Sequence, residues 1–521
     1  MASRKKTTGK KISKKAAKAA GRKKSAGRAA ALSAGRASPE SNPLKITGRP
    51  LVPISSAAEI QRAFTNLQQG RQRMKETTAR ERIKRLKKLQ DAIRNQEDAL
   101  FEAVYLDFRK SRTEMELTEL VVVKAELADA IQNLDSWMAP QQVDTPVTLL
   151  GSSAWICSEP LGTVLILSPW NYPFQLAIAP LIAAVAAGNT ALVKPSEFTP
   201  HTSRFIKQLL TDVFSHDEVT VLEGDHTTAE ALTALPFDHI FFTGSTPVGK
   251  IVMRAAAQNL AHVTLELGGK SPAILTANAD LKKAARRIMW GKGVNAGQTC
   301  IAPDYVFVPR AMQSEFIAEC ETARNEYYGP NPAESPDYCR IITEKHCARL
   351  QKLCDDAVKD GARIAIGGQS DTKDRYMAPT ILTDVRPDSQ IMQTEIFGPL
   401  LPVVDYEDME EVYDFIASRD KPLALYIFSR KNKEINEILS RTSAGGTTIN
   451  DVMLHIANCH LPFGGVNQSG IGSYHGIHGF RALSHQRSVL RQGRWNAIAL
   501  FSPPYTPRVQ ALTRFVRRYL A

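Results

Sequence analysis

Short apolar runs alternate with helical patterns from residue 162 to residue 265, and this alternation constrains the fold more than any other feature of the chain. Continuous apolar runs of this kind are typical of strands that are buried on both faces of a parallel sheet. Helical segments between such strands predict a doubly wound α/β layout, in which ligands bind at the carboxyl ends of the strands. The predicted strands are 162–167, 190–193, 218–222, 239–242 and 262–265, and the predicted helices are 174–188, 199–214, 227–235 and 246–259.

The rest of the chain supplies further predicted regions around this sheet. Apolar residues recur at three- and four-residue spacing from Ser55 to about Met138, which predicts amphipathic helices. A polar stretch from Val143 to Glu159 is compatible with a hairpin, and a second alternating α/β region runs from about 268 to 443. We therefore predict the α/β fold class with a disordered basic tail (1–50), a doubly wound Rossmann-type cofactor domain (51–142 and 158–266), an α/β catalytic domain (267–445), bridging or oligomerisation segments (143–157 and 446–490) and a basic amphipathic extension (491–521).

The positive charge of the chain belongs almost entirely to its N-terminal tail. The 521 residues carry a net charge of +13, and the first 40 contain thirteen Lys or Arg against one acid, Glu40. The remaining body is therefore nearly neutral, which argues against a body that binds nucleic acid. Residues 1–50 also lack aromatic residues, and their composition predicts disorder. The tail is compatible with contact to nucleic acid, polyphosphate or an anionic membrane, with mitochondrial targeting, or with a solvated extension.

Cysteine usage indicates a reducing compartment. Seven cysteines are scattered along the chain without a Cys-x-x-Cys pair or the histidine spacing of a zinc site. We therefore expect neither disulfides nor a bound metal. Apolar stretches stay short of the ~18 to 20 residues that span a bilayer, so we expect a soluble, cytoplasmic protein.

A basic amphipathic helix is predicted at the C-terminus. Such a helix lies on a membrane surface, which would make the protein peripheral to a membrane, or packs against its own body or a partner subunit. The apolar residues are Val509, Leu512, Phe515, Val516 and Leu520, and the basic ones are Arg508, Arg514, Arg517 and Arg518.

Cys300 and Glu266 are the strongest candidates for catalysis. Cys300 follows Gly293 and Gly297, which let backbone amides approach a reacting centre, and a thiolate needs such donors to lower its pKa. A cysteine without these neighbours is more often a small buried hydrophobe. Glu266 ends an apolar run next to Gly268, so it is either a mobile general base or a solvated or salt-bridged carboxylate. Together the two residues predict covalent catalysis with a separate base.

Asn171 is the candidate for stabilising negative charge. It lies in Ser168-Pro169-Trp170-Asn171-Tyr172-Pro173, directly after the first predicted strand of the sheet. An amide donor at that edge can stabilise an oxyanion, and the alternative is an ordinary asparagine turn between prolines.

Three further segments are candidates for binding a dinucleotide. Gly244, Ser245, Thr246 and Gly249 join a strand to a helix, where small residues let a pyrophosphate meet the helix N-terminus, although a plain helix start also explains them. Lys194 and Glu197 follow the second strand, where polar groups face an adenosine ribose or form a surface turn. Glu395 and Phe397 suit a ribose and a planar ring, or another turn.

Taken together, these segments resemble the aldehyde dehydrogenase superfamily from about residue 60 to about residue 490. The runs 297–305 and 473–476 are most similar to the class 3 branch, which includes fatty and aromatic aldehyde dehydrogenases and lies near coniferyl aldehyde dehydrogenases. The resemblance implies that Cys300 attacks the aldehyde to give a thiohemiacetal, with the oxyanion held by the Asn171 side chain and the Cys300 amide. After hydride transfer, Glu266 deprotonates the water that hydrolyses the thioester.

The same resemblance implies a cofactor, a substrate class and an assembly. Gly244, Ser245, Thr246 and Gly249 would border the pyrophosphate, Lys194 and Glu197 would face the adenosine ribose, and Glu395 and Phe397 would position the nicotinamide half. NAD is the expected cofactor and NADP the alternative. The expected substrate is an aromatic or medium- to long-chain aldehyde, and the expected assembly is a homodimer.

Two rival functions stay open at this point. One is a polyanion- or nucleic-acid-associated protein that uses the basic tail, and the other is a CoA-acylating aldehyde dehydrogenase, against which the presence of Glu266 argues.

One position departs from the family pattern, because Asn467 stands where the family usually has glycine. Asparagine tolerates positive φ better than most residues, so we expect the loop to keep its conformation.

Overall fold

A group of amphipathic helices precedes the sheets in the computed structural model, which describes residues 52–494 and 497–519. Ser56 and Thr78 are the N-cap residues of the first two helices. Each hydroxyl accepts a hydrogen bond from the backbone N–H of the glutamate three residues later, and the carboxylate of that glutamate accepts the backbone N–H of the cap residue. The predicted tail of residues 1–50 lies outside the described residues. The helices are α1 (Ala57–Lys75), α2 (Ala79–Asn95), α3 (Glu97–Phe108), α4 (Arg112–Met115) and α5 (Val121–Met138), with a π-helical segment at Glu116–Leu120 before α5.

A hairpin follows these helices. The strands β1 (Gln141–Val143) and β2 (Ser152–Pro160) pair in antiparallel register, with Gln141 opposite Ile156. The hairpin predicted for this polar stretch is therefore confirmed.

The predicted doubly wound sheet is confirmed. Its parallel strands stand in the order β7, β6, β3, β4, β5, and every residue of β3, β4 and β6 is buried because helices cover both faces. The strand order reverses between β3 and β6, which is where such folds bind ligands. The elements are β3 (Thr163–Leu167), α6 (Gln175–Ala187), β4 (Thr190–Lys194), α7 (Pro200–Val213), β5 (Val219–Val221), α8 (His226–Thr233), β6 (His239–Thr243), α9 (Thr246–Gln258) and β7 (His262–Glu266).

A second sheet of seven strands follows, in the order β10, β13, β14, β9, β8, β15, β16. Its pairings are parallel except that β10 runs antiparallel to β13, and β11 and β12 form a separate two-stranded sheet. The elements are β8 (Pro272–Leu275), α10 (Leu281–Gly293), β9 (Tyr305–Pro309), α11 (Gln313–Tyr328), α12 (Glu344–Lys359), β10 (Arg363–Ile366), β11 (Ser370–Asp371), β12 (Tyr376–Met377), β13 (Thr380–Thr383), α13 (Gln390–Gln393), β14 (Leu400–Tyr406), α14 (Met409–Ala417), β15 (Ala424–Phe428), α15 (Asn432–Arg441) and β16 (Gly446–Ile449).

The strand β16 pairs with β15 and so extends the seven-stranded sheet. The sequence predicts a bridging segment from residue 446 onward, whereas this strand continues the sheet of the preceding region. The domain boundaries as a whole stay a prediction.

The last elements add one strand to the doubly wound sheet and one to the β1–β2 hairpin. They are β17 (Gly470–Ile471), α16 (Gly476–Ala482), β18 (Ser484–Gln492) and α17 (Pro507–Tyr519). The strand β17 pairs antiparallel with β7, and β18 pairs with β2. In the turn before β17, Asn467 has φ +58°, so the expected left-handed conformation is confirmed.

The helix α17 confirms the predicted C-terminal helix, although Leu520 lies outside the described residues. Phe515 and Tyr519 are more than half exposed on it. Over the described ranges, no helix is both long and apolar enough to cross a bilayer.

Candidate active site

A cavity of about 580 Å³ opens at the carboxyl ends of β3 and β6, where the strand order reverses. The three predicted catalytic residues, Asn171, Glu266 and Cys300, all line it. Six of the predicted cofactor residues line it as well, so most of the candidates from separate parts of the sequence meet in one place. These six are Lys194, Glu197, Gly244, Ser245, Glu395 and Phe397.

The loop that carries Cys300 has a tightly fixed backbone. A 3₁₀ turn at Val294–Gly297 follows α10, and within it Gly297 has φ +72°. A Cβ atom on Gly297 would lie 2.3 Å from the carbonyl oxygen of Gly398, so only glycine fits there. The Gln298 side chain then anchors the loop, because its amide accepts from the Ile342 N–H at 2.8 Å and donates to the Arg340 carbonyl at 3.1 Å.

The thiol of Cys300 is half-buried, and its surroundings raise its pKa. Burial is the largest cause, followed by the charges of Glu395 and Glu266, while the amides of Cys300 and Ile301 act in the opposite direction. We had expected nearby donors to lower this pKa, and that expectation is wrong because burial and two carboxylates outweigh the amides. A base would therefore have to take the thiol proton if this sulfur acts as a nucleophile.

Glu266 is a buried carboxyl at the last residue of β7, with 2% of its surface exposed. Neither of its carboxyl oxygens has a hydrogen-bond partner among the described residues. Burial raises the pKa of Glu266 well above its ordinary value. The alternatives of a solvated or salt-bridged glutamate are thus both wrong, and the group is basic enough to accept a proton within the cavity.

Asn171 is hydrogen-bonded through its backbone to the loop that carries Cys300. It is 3% exposed, and its carbonyl oxygen accepts from the Asn295 side chain at 2.8 Å. The next residue, Tyr172, forms a hydrogen bond of 2.6 Å between its hydroxyl and that of Thr299. The segment after β3 and the segment before Cys300 are therefore joined at two points.

The ends of β3, β4 and β6 carry polar groups that suit an extended polar ligand. Lys194, at the end of β4, donates through Nζ to Glu197 at 3.0 Å. The hydroxyls of Ser168 and Thr243 are buried without a hydrogen-bond partner among the residues described, and both line the cavity. Gly244 and Ser245 lie at the N-terminus of α9, where amides favour an anion. These features fit the hydroxyl groups and pyrophosphate of a dinucleotide.

Two predicted cofactor residues, Thr246 and Gly249, are not among the residues that line the cavity. Thr246 donates its hydroxyl to the carbonyl of Gln468 at 3.0 Å. A Cβ atom on Gly249 would lie 2.6 Å from the side chain of Leu267, so this glycine lets α9 pack closely against the strand end.

Glu395 and Phe397 also line the cavity. Burial, together with the neighbouring charge of Asp304, raises the pKa of Glu395 to about 8. Gly268 lies against this carboxyl, because a Cβ atom there would be 2.1 Å from Glu395 Oε2. The Phe397 ring meets the Trp170 ring edge-on, with centroids 5.3 Å apart. A carboxyl group and an aromatic surface thus line the same cavity as Cys300.

His346 and Arg349 also line the cavity, and the sequence did not predict either residue. Both lie on α12, which belongs to the second α/β region, and the His346 ring is 5.2 Å from the Trp170 ring. Their segment reads as an ordinary amphipathic helix, so no local pattern distinguishes them. Only the packing of α12 near the carboxyl ends of the strands of the first sheet identifies His346 and Arg349 as residues of the cavity.

Comparisons with known proteins agree with this geometry. The sequence profile described as Aldehyde dehydrogenase family matches residues 33–489. The putative aldehyde dehydrogenase AldX of Bacillus subtilis is 45% identical over 437 residues, which cover 83% of this chain and 98% of the relative. Aldehyde dehydrogenase family 3 member A2 of Macaca fascicularis is 43% identical over 448 residues, which cover 86% of this chain and 90% of the relative.

Solved structures give the same result. A substrate-bound state of Staphylococcus aureus AldH is similar with a TM-score of 0.84 and 42% identity, covering 88% of this chain and 99% of that chain. A Mycobacterium tuberculosis aldehyde dehydrogenase complexed with NAD+ is similar with a TM-score of 0.79 and 26% identity, covering 85% of this chain and 92% of that chain.

Proposed function

Because this chain belongs to the aldehyde dehydrogenase family, we propose that it oxidises an aldehyde to the carboxylic acid with NAD(P), and that Cys300 is its nucleophile. The observation that carries the proposal is that Cys300, Glu266 and Asn171 open into one cavity at the ligand edge of the doubly wound sheet. A thiol, a basic carboxyl and an amide donor are the groups that a covalent oxidation of a carbonyl requires.

The first step forms a bond between the Cys300 sulfur and the carbonyl carbon. The carbonyl π electrons move to oxygen, and the Asn171 side-chain amide and the Cys300 backbone N–H donate to the resulting oxyanion. The thiol proton passes to a carboxylate, and both carboxyls that raise the pKa of Cys300 face the cavity. The pKa of Glu395 and that of Glu266 are themselves raised, so either group is basic enough to take this proton.

The proposed cofactor-binding residues would hold the dinucleotide in this cavity. Gly244, Ser245 and the first amides of α9 would receive the pyrophosphate, Lys194 and Glu197 would receive the adenosine ribose, and Glu395 and Phe397 would receive the nicotinamide half. When bound, NAD(P) supplies the acceptor for the hydride that leaves the thiohemiacetal carbon. NAD is the proposed cofactor and NADP the alternative, since Glu197 offers a carboxylate to ribose hydroxyls while Lys194 offers a cation beside it.

The second step releases the acid. Glu266 takes a proton from a water molecule, the water oxygen bonds to the thioester carbon, and the carbon–sulfur bond breaks with its electrons returning to Cys300. The buried carboxyl of Glu266 supports this role, because within the described part of the chain it has no hydrogen bond that must break before it acts.

The proposed substrate is an aromatic or medium- to long-chain aldehyde. Aromatic side chains that line the cavity together with Cys300 support it, since the rings of Trp170 and Phe397 meet there with centroids 5.3 Å apart. A homodimer is the proposed assembly, and the basic tail is proposed to contact polyanions or an anionic membrane. Sedimentation of the purified chain tests the dimer, with a monomer as the contrary result.

The test of the activity is NADH or NADPH formation with a panel of aromatic, long-chain and short polar aldehydes. We expect turnover with the apolar aldehydes, free acid as the product, and no dependence on CoA. A Cys300→Ala protein that kept full turnover would refute the mechanism. An acyl-CoA product formed only when CoA is present would instead favour the CoA-acylating alternative.

A further inference from the structure

Two consecutive residues before Cys300 adopt a left-handed backbone conformation although neither is glycine. Asn295 has φ +52° and Ala296 has φ +49°. Asparagine tolerates this region, whereas alanine does not, so the turn persists only if its surroundings hold it. Both residues are buried, at 0% and 1% exposure. The contacts of Asn295 therefore determine the course of the chain into Cys300.

The Asn295 side chain joins the two loops of the proposed active site. Its Nδ2 group donates to the carbonyl of Asn171 at 2.8 Å and to the carbonyl of Gln298 at 3.1 Å. Both amide hydrogens are thus used, one on the loop of the proposed oxyanion donor and one on the loop of the proposed nucleophile. A single side chain fixes the separation between these two loops.

Glu114 holds the backbone of Asn295. Its carboxylate accepts the Asn295 N–H at 2.8 Å from the side of α4, which is distant in sequence by 181 residues. The neighbouring Glu119, which forms a buried ion pair with Lys110 at 3.1 Å, accepts the N–H of Phe174 at 2.9 Å. The short segment between α3 and α5 is therefore hydrogen-bonded to both loops. Glu114 accepts from the loop before Cys300, and Glu119 accepts from the loop that carries Asn171.

We propose that Asn295 is a positioning residue that sets the placement of Asn171 relative to Cys300, and that Glu114 holds Asn295 in the conformation this requires. The inference rests on the proposed function, because it concerns the oxyanion of that reaction. An oxyanion donor acts only within a narrow range of distances, and a displacement of about 1 Å at such a site costs on the order of a hundredfold in rate. Asn295 touches no reacting atom in this scheme and acts through the Asn171 backbone.

The test uses substitutions that keep the fold of the turn. Asn295→Gly removes the side chain while glycine accepts positive φ without strain, and Ala296→Gly is the matched control because it removes no hydrogen bond. We expect kcat/KM for the aldehyde to fall at least about tenfold in Asn295→Gly and to change less than about threefold in Ala296→Gly. The dissociation constant for NADH, measured by fluorescence, is expected to stay the same in both.

A double-mutant cycle with Asn171→Ala separates positioning from general support of the fold. If Asn295 acts through Asn171, the loss caused by Asn295→Gly shrinks to within about threefold once the Asn171 side chain is absent. An undiminished loss in the Asn171→Ala background, or wild-type kcat/KM in Asn295→Gly, overturns the proposal. A structural role alone gives the undiminished loss, because it acts with or without that side chain.

A second pair of variants keeps the proposal testable if Asn295→Gly fails to fold. Glu114→Gln retains an oxygen that accepts the Asn295 N–H, whereas Glu114→Ala does not. We expect Glu114→Ala to lose at least about tenfold in kcat/KM and Glu114→Gln to recover most of it, with Glu116→Ala, a partly exposed neighbour, as the control. Equal activity of Glu114→Ala and wild type overturns the proposal. Turnover that persists in Cys300→Ala would instead disprove the proposed function, whatever these variants show.

Discussion

Replacing Glu266 by glutamine separates the two chemical steps of the proposed mechanism. Glutamine has nearly the same shape but cannot take a proton from water, so acylation of Cys300 continues while hydrolysis slows. Loss of a general base lowers the rate on the order of 10²- to 10⁴-fold, and this is the expected fall in steady-state turnover. Because Glu395 also has a raised pKa and faces the cavity, transfer of the thiol proton does not depend on Glu266.

The fold tolerates this substitution. Neither carboxyl oxygen of Glu266 has a hydrogen-bond partner in the described part of the chain, so glutamine breaks no bond. Burial raises the pKa of Glu266 in the folded state, so its ionisation costs stability as the pH rises above the pKa of the unfolded chain. Glutamine removes this cost, and the melting temperature at neutral pH should be no lower than that of the wild type.

The test is to mix the Glu266→Gln protein rapidly with aldehyde and NAD and to record NADH formation over time. We expect a burst of NADH close to one equivalent per Cys300, followed by slow turnover. The control is Glu223→Gln, since Glu223 is also buried but pairs with Lys207 at 3.0 Å and does not line the cavity. That variant should lose stability and keep its turnover. A Glu266→Gln protein without a burst, or with steady-state turnover within about threefold of wild type, would refute the assigned role.

Three further predictions follow from the same structure. Because the pKa of Glu395 is raised to about 8 and that of the Cys300 thiol is raised as well, kcat/KM should rise with pH through this range, and a profile that falls between pH 7 and 9 would contradict the assignment. Gly297→Ala should destabilise the fold by about 1–3 kcal/mol in urea unfolding and abolish most activity, because a Cβ there meets the Gly398 carbonyl at φ +72°; an unchanged unfolding midpoint would contradict this. Deletion of residues 1–50 should keep turnover within about twofold while weakening binding to heparin, and a loss of turnover would instead favour the polyanion-associated alternative.

The first sheet was predictable because its signals are local. The apolar runs that end at Val193 and Phe242 match β4 and β6 to within one residue, since strands buried on both faces must be apolar throughout. Carboxyl ends of parallel strands meet at one edge, so the sequence alone assigns Asn171, Lys194 and Gly244 to a common site, and all three line the cavity. Asn467 stands where the resembled family usually has glycine, and because asparagine tolerates positive φ the loop was expected to keep its conformation; Asn467 does adopt positive φ.

Long-range packing was not predictable from the same patterns. Nothing in the run at Gly446–Ile449 indicates that it pairs with β15, because strand pairing depends on partners elsewhere in the chain. His346 and Arg349 read as residues of an amphipathic helix, and their place on the cavity wall depends on how α12 packs. The raised pKa of Cys300 likewise results from carboxyls that approach it from other elements.

Mass spectrometry of the trapped intermediate tests the central claim most directly. Glu266→Gln protein mixed with an aldehyde and NAD, then quenched in acid and digested, should carry the acyl group on the peptide that contains Cys300. The other six cysteines provide internal controls, and Cys300→Ala should show no adduct and no turnover. Acylation of a different cysteine, or full turnover without Cys300, would contradict the account.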